Sequence, residues 1–292
     1  MPSSVGRGES MKVLGLVSSP RKGGNSELAA KEIMRQLPES WEKKMIRINE
    51  LNIEYCRACY TCIPEDRKCK INDDLNFLID NVKDADKIVI SAPAYLLGEH
   101  TAMKLVVDRL LSILTNFREF EGKECVIAAS YGLHGWDGLV KEDLIIFARE
   151  FNLTITDFAL LLATIPGDSV TGENLEKLHG LAKSLVKGIG SGKVPGDELE
   201  CPYCTSRALT LSIRGPWKCT VCGGKGVLEY TNGCYSLRYE AGDPFHFTAE
   251  SKIMHASYLD EKKKLFLENR DSVREIQNRY SQMDLWVRPV IS

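Results

Sequence analysis

The chain has 292 residues, 43% hydrophobic and 27% charged, with a formal net charge of -2; this excludes a disordered chain and gives no electrostatic ground for binding nucleic acid. Its length exceeds the usual single core, so one main domain with a smaller appendage is expected. No stretch approaches the ~20 apolar residues of a membrane span, and the opening MPSSVGRGES lacks the apolar core of a secretion signal, so a cytoplasmic protein with no membrane attachment is expected.

Through residue 190, runs rich in Val and Ile alternate with segments of helical period, the pattern of a parallel sheet with crossover helices. Strands are expected at 12–17, 43–48, 87–92, 125–130 and 153–162, and helices at 25–37, 74–83, 101–115, 138–151 and 173–189. The simplest α/β arrangement is a doubly wound, five-stranded parallel sheet in the flavodoxin-like order 2-1-3-4-5. GIGSGKVPGDE (188–198) breaks the last helix, so 191–198 reads as a linker between a first domain at 1–190 and the remainder of the chain. Beyond it lie a cysteine-bearing module at 199–236 and a mainly helical, highly charged extension at 237–292. In that extension Met254 and Tyr258, then Val273, Ile276, Gln277 and Tyr280, fall at helical spacing, giving one face to pack on the core or on another subunit; the plainer reading, and the one expected, is a solvated helix with one buried stripe.

All strands of a parallel sheet end on the same side, so three loops are expected at one edge. The first, SSPRKGGNS (18–26), leads into a helix. Gly23 and Gly24 free the backbone to turn N–H groups inward, Ser19, Asn25 and Ser26 add hydrogen bonds, and Arg21 and the helix N-terminus favour an anion. No Gly-Lys-Ser/Thr follows and there is no G-x-G-x-x-G, so a terminal monophosphate fits better than a triphosphate or a pyrophosphate. The plain alternative is a polar strand-to-helix turn. In the second loop, APAYLLGEHT (92–101), Pro93, Tyr95, Leu96 and Leu97 offer flat and apolar surface for the rim of a planar ring. In the third, SYGLHGWDG (130–138), Gly132, Gly135 and Gly138 permit close approach, and Tyr131 or Trp136 is placed to cover the ring.

Ten cysteines in a chain of this length point to metal rather than to disulfides. Cys56, Cys59, Cys62 and Cys69 are compact enough for four thiolates to cage one iron-sulfur cubane; zinc, or a loop without metal, is the alternative. Cys201, Cys204, Cys219 and Cys222 form two separated pairs, CPYC and CTVCGG, around the hairpin ALTLSIRGPWK. That is the pattern of a structural zinc ribbon, with a single redox-active iron as the alternative. Cys125 and Cys234 are left over and read as packing thiols.

SSPRKGGNS, APAYLLGEHTAMKLVVDR and the C-x2-C-x2-C-x6-C run together resemble the iron-sulfur flavoproteins, in the NADPH-dependent FMN reductase branch of the flavodoxin-like fold, over residues 11–190. The resemblance implies FMN, its phosphate on Ser19, Arg21, Asn25 and Ser26 around Gly24. It implies an isoalloxazine held by 93–98, which adds Ala94 and Gly98, and by 130–136, which adds Ser130. It also implies a [4Fe-4S] cluster on the four early cysteines and a homo-oligomer, a dimer or tetramer, in which a cluster lies near a neighbouring subunit's flavin. Ser18 stands where the family commonly has glycine, and everything after the linker lies outside the family pattern. The expected function is electron transfer between a donor, NAD(P)H or a ferredoxin, and an acceptor through FMN and the cluster. No side chain stands out as a catalytic acid or base; His100 and His134 are either near the flavin or merely solvated. Two other readings stand beside this one: a cluster-free NAD(P)H-dependent FMN or quinone reductase, and a zinc-ribbon partner-binding module on a flavodoxin-like scaffold.

Overall fold

The computed structural model describes residues 10–63, 68–188, 199–240 and 246–281. The linker expected at 191–198, most of the opening decapeptide, and the parts of the C-terminal extension at 241–245 and 282–292 lie outside the described residues, as do residues 64–67 between Cys62 and Cys69.

Five strands, β1 (Lys12–Val17), β2 (Glu42–Arg47), β3 (Lys87–Pro93), β4 (Glu124–Tyr131) and β5 (Thr154–Leu162), form one sheet in the order β2-β1-β3-β4-β5. Every pairing is parallel. The alternation of side chains across the pleat builds two cores. Leu14, Leu16, Ile88, Ile90 and Ile127 face a layer that includes α2 (Leu75–Asp84), α3 (Thr101–Arg109) and α4 (Val140–Glu150). Val13, Val17, Val89, Val126 and Ala128 face α1 (Asn25–Gln36) and α5 (Gly172–Lys187). Full burial of such a side chain stabilises by roughly 1.5–3 kcal/mol, which is why the central strands read as unbroken apolar runs. The edge strand β2 does not: in EKKMIR only Ile46 is buried.

The helix expected at 101–115 is shorter. It ends at Arg109, and Leu110–Ile113 tightens into a 3-10 turn that buries both Leu110 and Ile113, residues that eclipse each other at three per turn.

After the first domain, β6 (Leu209–Thr210), β7 (Trp217–Cys219), β8 (Lys225–Thr231) and β9 (Cys234–Tyr239) make an antiparallel sheet in chain order. Asn232 and Gly233, both at positive φ, turn β8 into β9, the conformation that an Asn-Gly hairpin favours. This unit rests on α4. Ile145 of α4 joins Trp217, Val221, Phe247 and the four late cysteines in one cluster, and Arg207 reaches Asp137 at 2.9 Å. Then come α6 (Ala249–Glu268) and α7 (Arg270–Tyr280). Lys252 of α6 pairs with Glu150 at 2.6 Å, but Met254, Tyr258, Leu265, Ile276 and Tyr280 are all exposed, so most of the apolar face expected here is left open to solvent. One expectation fails outright. Cys125 is a buried packing thiol, but Cys234 is exposed at the start of β9. No helix among the described residues is long and apolar enough to cross a membrane.

The turn after β3 is fixed from below. Tyr95 and Gly98 exchange backbone hydrogen bonds of 2.8 and 3.1 Å, which forces Leu96 and Leu97 to φ +45° and +69°, a strained state for side-chain-bearing residues. The N–H of Leu139 donates to the Leu97 carbonyl at 2.7 Å, and the Glu99 N–H donates to Asp143 Oδ2 at 2.9 Å. Burial and the neighbouring Asp143 carboxylate push the Glu99 carboxyl up to about 8, opposed by Lys104 and assisted by Asp108. One Glu99 oxygen is buried without a hydrogen-bond partner.

Gly138 sits at φ +56°, and a Cβ there would lie 2.3 Å from the Leu97 carbonyl oxygen, whereas Gly132 has open space. G138A is therefore expected to lose about 2 kcal/mol or more in a urea titration, and G132A to stay within about 0.5 kcal/mol of the parent. Glu99 titrates above its ordinary 4.5, so the native state keeps a proton that the unfolded chain releases. Its contribution makes stability fall as pH rises from about 4.5 to about 8. E99Q should flatten that part of the pH profile and stabilise the protein at pH 9 by about 2–4 kcal/mol; an unchanged slope in thermal melts from pH 5 to 9 would refute the assignment.

Candidate active site and metal centres

At the carboxyl edge of the sheet a cleft of about 300 Å3 is lined by Ser19, Arg21, Gly24, Asn25, Ser26, Pro93, Ala94, Tyr95, Ser130, Tyr131 and Gly132, together with Ala163 and Thr164. Gly24 is the N-cap of α1 and no side chain caps that helix, so its first-turn N–H groups face the cleft as an anion site. The hydroxyls of Ser26 and Ser130, both buried, lie 3.2 Å apart across it. Pro93, Ala94, Tyr95 and Tyr131 supply flatter walls. An anion at the helix end and a planar ring between the two later loops both suit these residues.

Two details of the first loop differ from the expected arrangement. The Gly23 N–H donates to Glu27 Oε2 at 2.7 Å rather than into the cleft. Lys31, Arg47 and that N–H hold the Glu27 carboxyl down at about 2, and Arg47 also donates to the Ser19 carbonyl at 2.9 Å, which fixes the loop from outside. The Asn25 carboxamide is engaged with the loop after β5. It accepts from the Gly167 N–H at 3.0 Å and donates to the Ala163 and Ile165 carbonyls at 3.2 and 2.9 Å. Asn25 thus offers an anion its backbone N–H, and its side chain clamps a fourth loop.

That fourth loop is absent from the sequence-based expectation. Ala163 N–H bonds the Tyr131 carbonyl at 2.8 Å and the Thr164 hydroxyl bonds the Gly132 carbonyl at 2.9 Å, closing one side of the cleft. The signal in the sequence was available, because the fifth strand of a parallel sheet must also end at this edge. Leu96 (97%), Leu97, Gly135 and Trp136 are exposed and are not among the residues that line the cleft, and Gly98, also outside that lining, lies against Asp143. His100 caps α3, its Nδ1 accepting from Ala102 at 3.1 Å, and it meets Tyr95 edge-on at 5.0 Å. Burial lowers its pKa. His134 is exposed.

The late cysteines form a tight set. The sulfurs of Cys201, Cys204, Cys219 and Cys222 are all buried and lie within 4.8 Å of one another, with Cys201 to Cys222 and Cys204 to Cys219 at 3.6 Å. Four thiolates around one tetrahedral zinc stand roughly 3.8 Å apart, given zinc-sulfur bonds of about 2.3 Å. Gly223 takes φ +78° in the second knuckle, and its N–H bonds the Cys219 carbonyl at 3.1 Å. Hydrogen bonds among the crowded sulfurs drive Cys219 down and Cys204 up; a metal ion bound among them would let all four ionise together.

The early cysteines are held differently. Cys56 is exposed and Cys59, Cys62 and Cys69 are half-buried, and among the described residues their sulfurs do not make a single-ion set like the late four. Ligands on the separate corners of a cubane stand farther apart than ligands on one ion. Ala58 and Tyr60 take φ +45° and +52°, bending the loop between successive cysteines. Burial raises the Cys62 thiol, and Cys69, Cys59 and Cys56 raise it further, which places all four in one electrostatic neighbourhood. Arg109 donates to Cys69 Sγ at 3.3 Å.

Residues 11–162 match the family model for NADPH-dependent FMN reductase. An iron-sulfur flavoprotein of Methanocaldococcus jannaschii is 28% identical over 190 residues, which cover 64% of this chain and 86% of that protein. An iron-sulfur flavoprotein of Archaeoglobus fulgidus is 25% identical over 189 residues, covering 62% and 81%. A solved flavone reductase superposes with a TM-score of 0.75 over 96% of this chain and all of its own, at 22% identity, so the fold with its C-terminal sheet and helices is not peculiar to this sequence. On the matched sheet, its edge cleft and its loops, the chain belongs to the NADPH-dependent FMN reductase family and is an FMN-dependent oxidoreductase of flavodoxin-like fold.

Proposed function

We propose that this oxidoreductase passes electrons between a reduced nicotinamide or ferredoxin-type donor and an acceptor by way of FMN in the edge cleft and a [4Fe-4S] cluster on Cys56, Cys59, Cys62 and Cys69. FMN supplies the exchange between hydride transfer and single electrons, which a cluster carries one at a time. The carrying observation is that one nine-residue helix, α3, joins the two sites. It begins just after the turn at 95–98 and ends in Arg109, whose side chain holds the cysteine loop.

The protein's part is positioning. Ser19, Ser26 and the first-turn N–H groups around Gly24 and Asn25 hold the phosphate, with Arg21 offsetting its charge. Residues 93–98 and 130–136 border the ring. Cys201, Cys204, Cys219 and Cys222 hold a structural Zn2+ that stabilises a unit too small to fold on apolar burial alone. We divide the chain at the boundaries expected from the sequence, 1–190, 191–198, 199–236 and 237–292, except that β9 (Cys234–Tyr239) carries the small sheet past 236, and assign it to a reducing, cytoplasmic compartment on its cysteine usage.

The exposure of Cys56 favours one rival, a cluster-free NAD(P)H-dependent FMN or quinone reductase. Elemental analysis separates the two. Anaerobically purified chain should carry about four iron, about four sulfide and about one zinc. Its spectrum should show flavin bands over a broad shoulder that bleaches on reduction. C62S should lose iron and sulfide but keep flavin and zinc; C219S should lose zinc and melt at lower temperature. Flavin and zinc with no iron would select the rival.

Self-association is part of the same reading. Met254, Tyr258 and Leu265 share one face of α6, and Ile276 and Tyr280 one face of α7, all exposed. Beside them a cavity of about 670 Å3 is lined by Ile146, Val221, Phe247, Met254 and Tyr258. Helices that bury so little of their own chain need an outside surface. Light scattering on the full chain should give a multiple of 32.7 kDa, and L265D with I276D should lower it; an unchanged mass would remove this face from the interface.

A further inference from the structure

We infer that Arg109 sets the reduction potential of the centre held by the cysteine loop, an inference that rests on the cluster reading above. Arg109 is the last residue of α3 and is only 1% exposed. Its Nη1 donates to the Glu54 carbonyl at 2.6 Å and to Asp73 Oδ2 at 2.7 Å. Its Nη2 donates to Asp73 Oδ1 at 3.2 Å and to Cys69 Sγ at 3.3 Å. Nε is buried and has no partner.

The distribution of these bonds is informative. Asp73, whose side chain is fully buried, takes the end of the guanidinium fork, and that pairing together with the Glu54 contact accounts for a purely structural role. It does not account for the other edge. Nε and Nη2 share one edge of the planar group, and that edge carries the bond to Cys69 and the N–H left over. A buried donor without a partner, beside a cysteine sulfur, fits a further sulfur at that spot, either a second thiolate or a sulfide.

Charge gives the consequence. Asp73 is itself held by the N–H groups of Glu54 and Leu75 at 3.0 and 3.2 Å, on the side of Arg109 away from the sulfur. The ion pair therefore turns its positive end toward Cys69. Reduction adds one electron, and so one negative charge, to the centre, and a buried positive group donating an N–H to its Cys69 sulfur favours that state. Arg109 acts through Cys69 and is a positioning and tuning residue.

The test is a potentiometric titration with dithionite, following the cluster by electron paramagnetic resonance and the flavin by absorbance in the same full-length protein. R109K keeps a charge but supplies a single point donor that cannot serve Asp73, Glu54 and Cys69 together. It should retain its iron and sulfide yet lower the equilibrium constant for cluster reduction at least tenfold, about 59 mV for one electron, with a smaller change at the flavin. R109M combined with D73N removes both charges of the pair, leaves neither buried alone, and carries the same expectation should R109K purify without iron. A complete cluster at an unmoved potential overturns the inference and leaves the cluster reading standing. Loss of iron from both variants makes Arg109 an assembly residue and overturns the tuning role. A parent chain free of iron and sulfide removes the cluster reading and this inference together.

Discussion

The five strands of the sheet run the same way, and the rest of the molecule depends on that constraint. Each strand carries its chain to the same edge before a helix takes it back, so residues as distant in sequence as Ser19 and Thr164 line one cleft. The burial of Ile88, Val89 and Ile90 on alternate faces leaves β3 no freedom to slip, because a shift of one residue would exchange the two cores. Loop positions at the edge inherit that fixed register.

Helix α4 is the second organiser, and its first turn does more than start a helix. Glu142 and Asp143 lie there, where the helix dipole favours negative charge. Each then reaches a different part of the molecule. Asp143 accepts from the Glu99 N–H and steadies the turn at 95–98; Glu142 accepts from the Arg207 N–H at 2.8 Å and steadies the cysteine-rich unit. Burying these carboxyls, and crowding them together, has a cost, seen in the upward shifts of Glu99 and Asp143. The strain at Leu96 and Leu97 is a second cost borne at the same turn. Both are costs that a turn held in one position by its surroundings carries.

Much of this is readable from the chain, for physical reasons. The sheet order and its strands follow from apolar runs that only two-sided burial explains, and the late cysteines declare a tetrahedral set by spacing alone. Other features are hidden because a residue type does not say which partner it takes. Asn25 looks like a phosphate ligand and spends its carboxamide on the loop at 163–169. Ala163 and Thr164 sit in a stretch, ATIPGDS, that reads as an ordinary turn. Arg109 closes the run APAYLLGEHTAMKLVVDR, but nothing in a one-dimensional pattern says that it is buried on Asp73 and Cys69. Cys234 looks like core and is exposed, because the strand that carries it pairs on one side only and buries little.

The cysteine loop shows why a buried ion pair is retained where apolar side chains would pack as well. Replacing such a pair with hydrophobic residues is often neutral or stabilising, so Arg109 and Asp73 are not explained by stability. What an apolar substitute lacks is direction. The pair fastens Glu54, on the near side of residues 64–67, to Cys69 on the far side, closing the loop. It does so from the far end of the helix that follows the turn at 95–98, so any movement of α3 reaches both the cleft and the cysteines. Packing Ile63 and Leu114 against Ala256 of α6 adds a third attachment, and through it the C-terminal helices bear on the same loop. The cleft and the cysteine loop are thereby tied through rigid secondary structure rather than through a flexible linker, an arrangement that suits the electron transfer proposed for them.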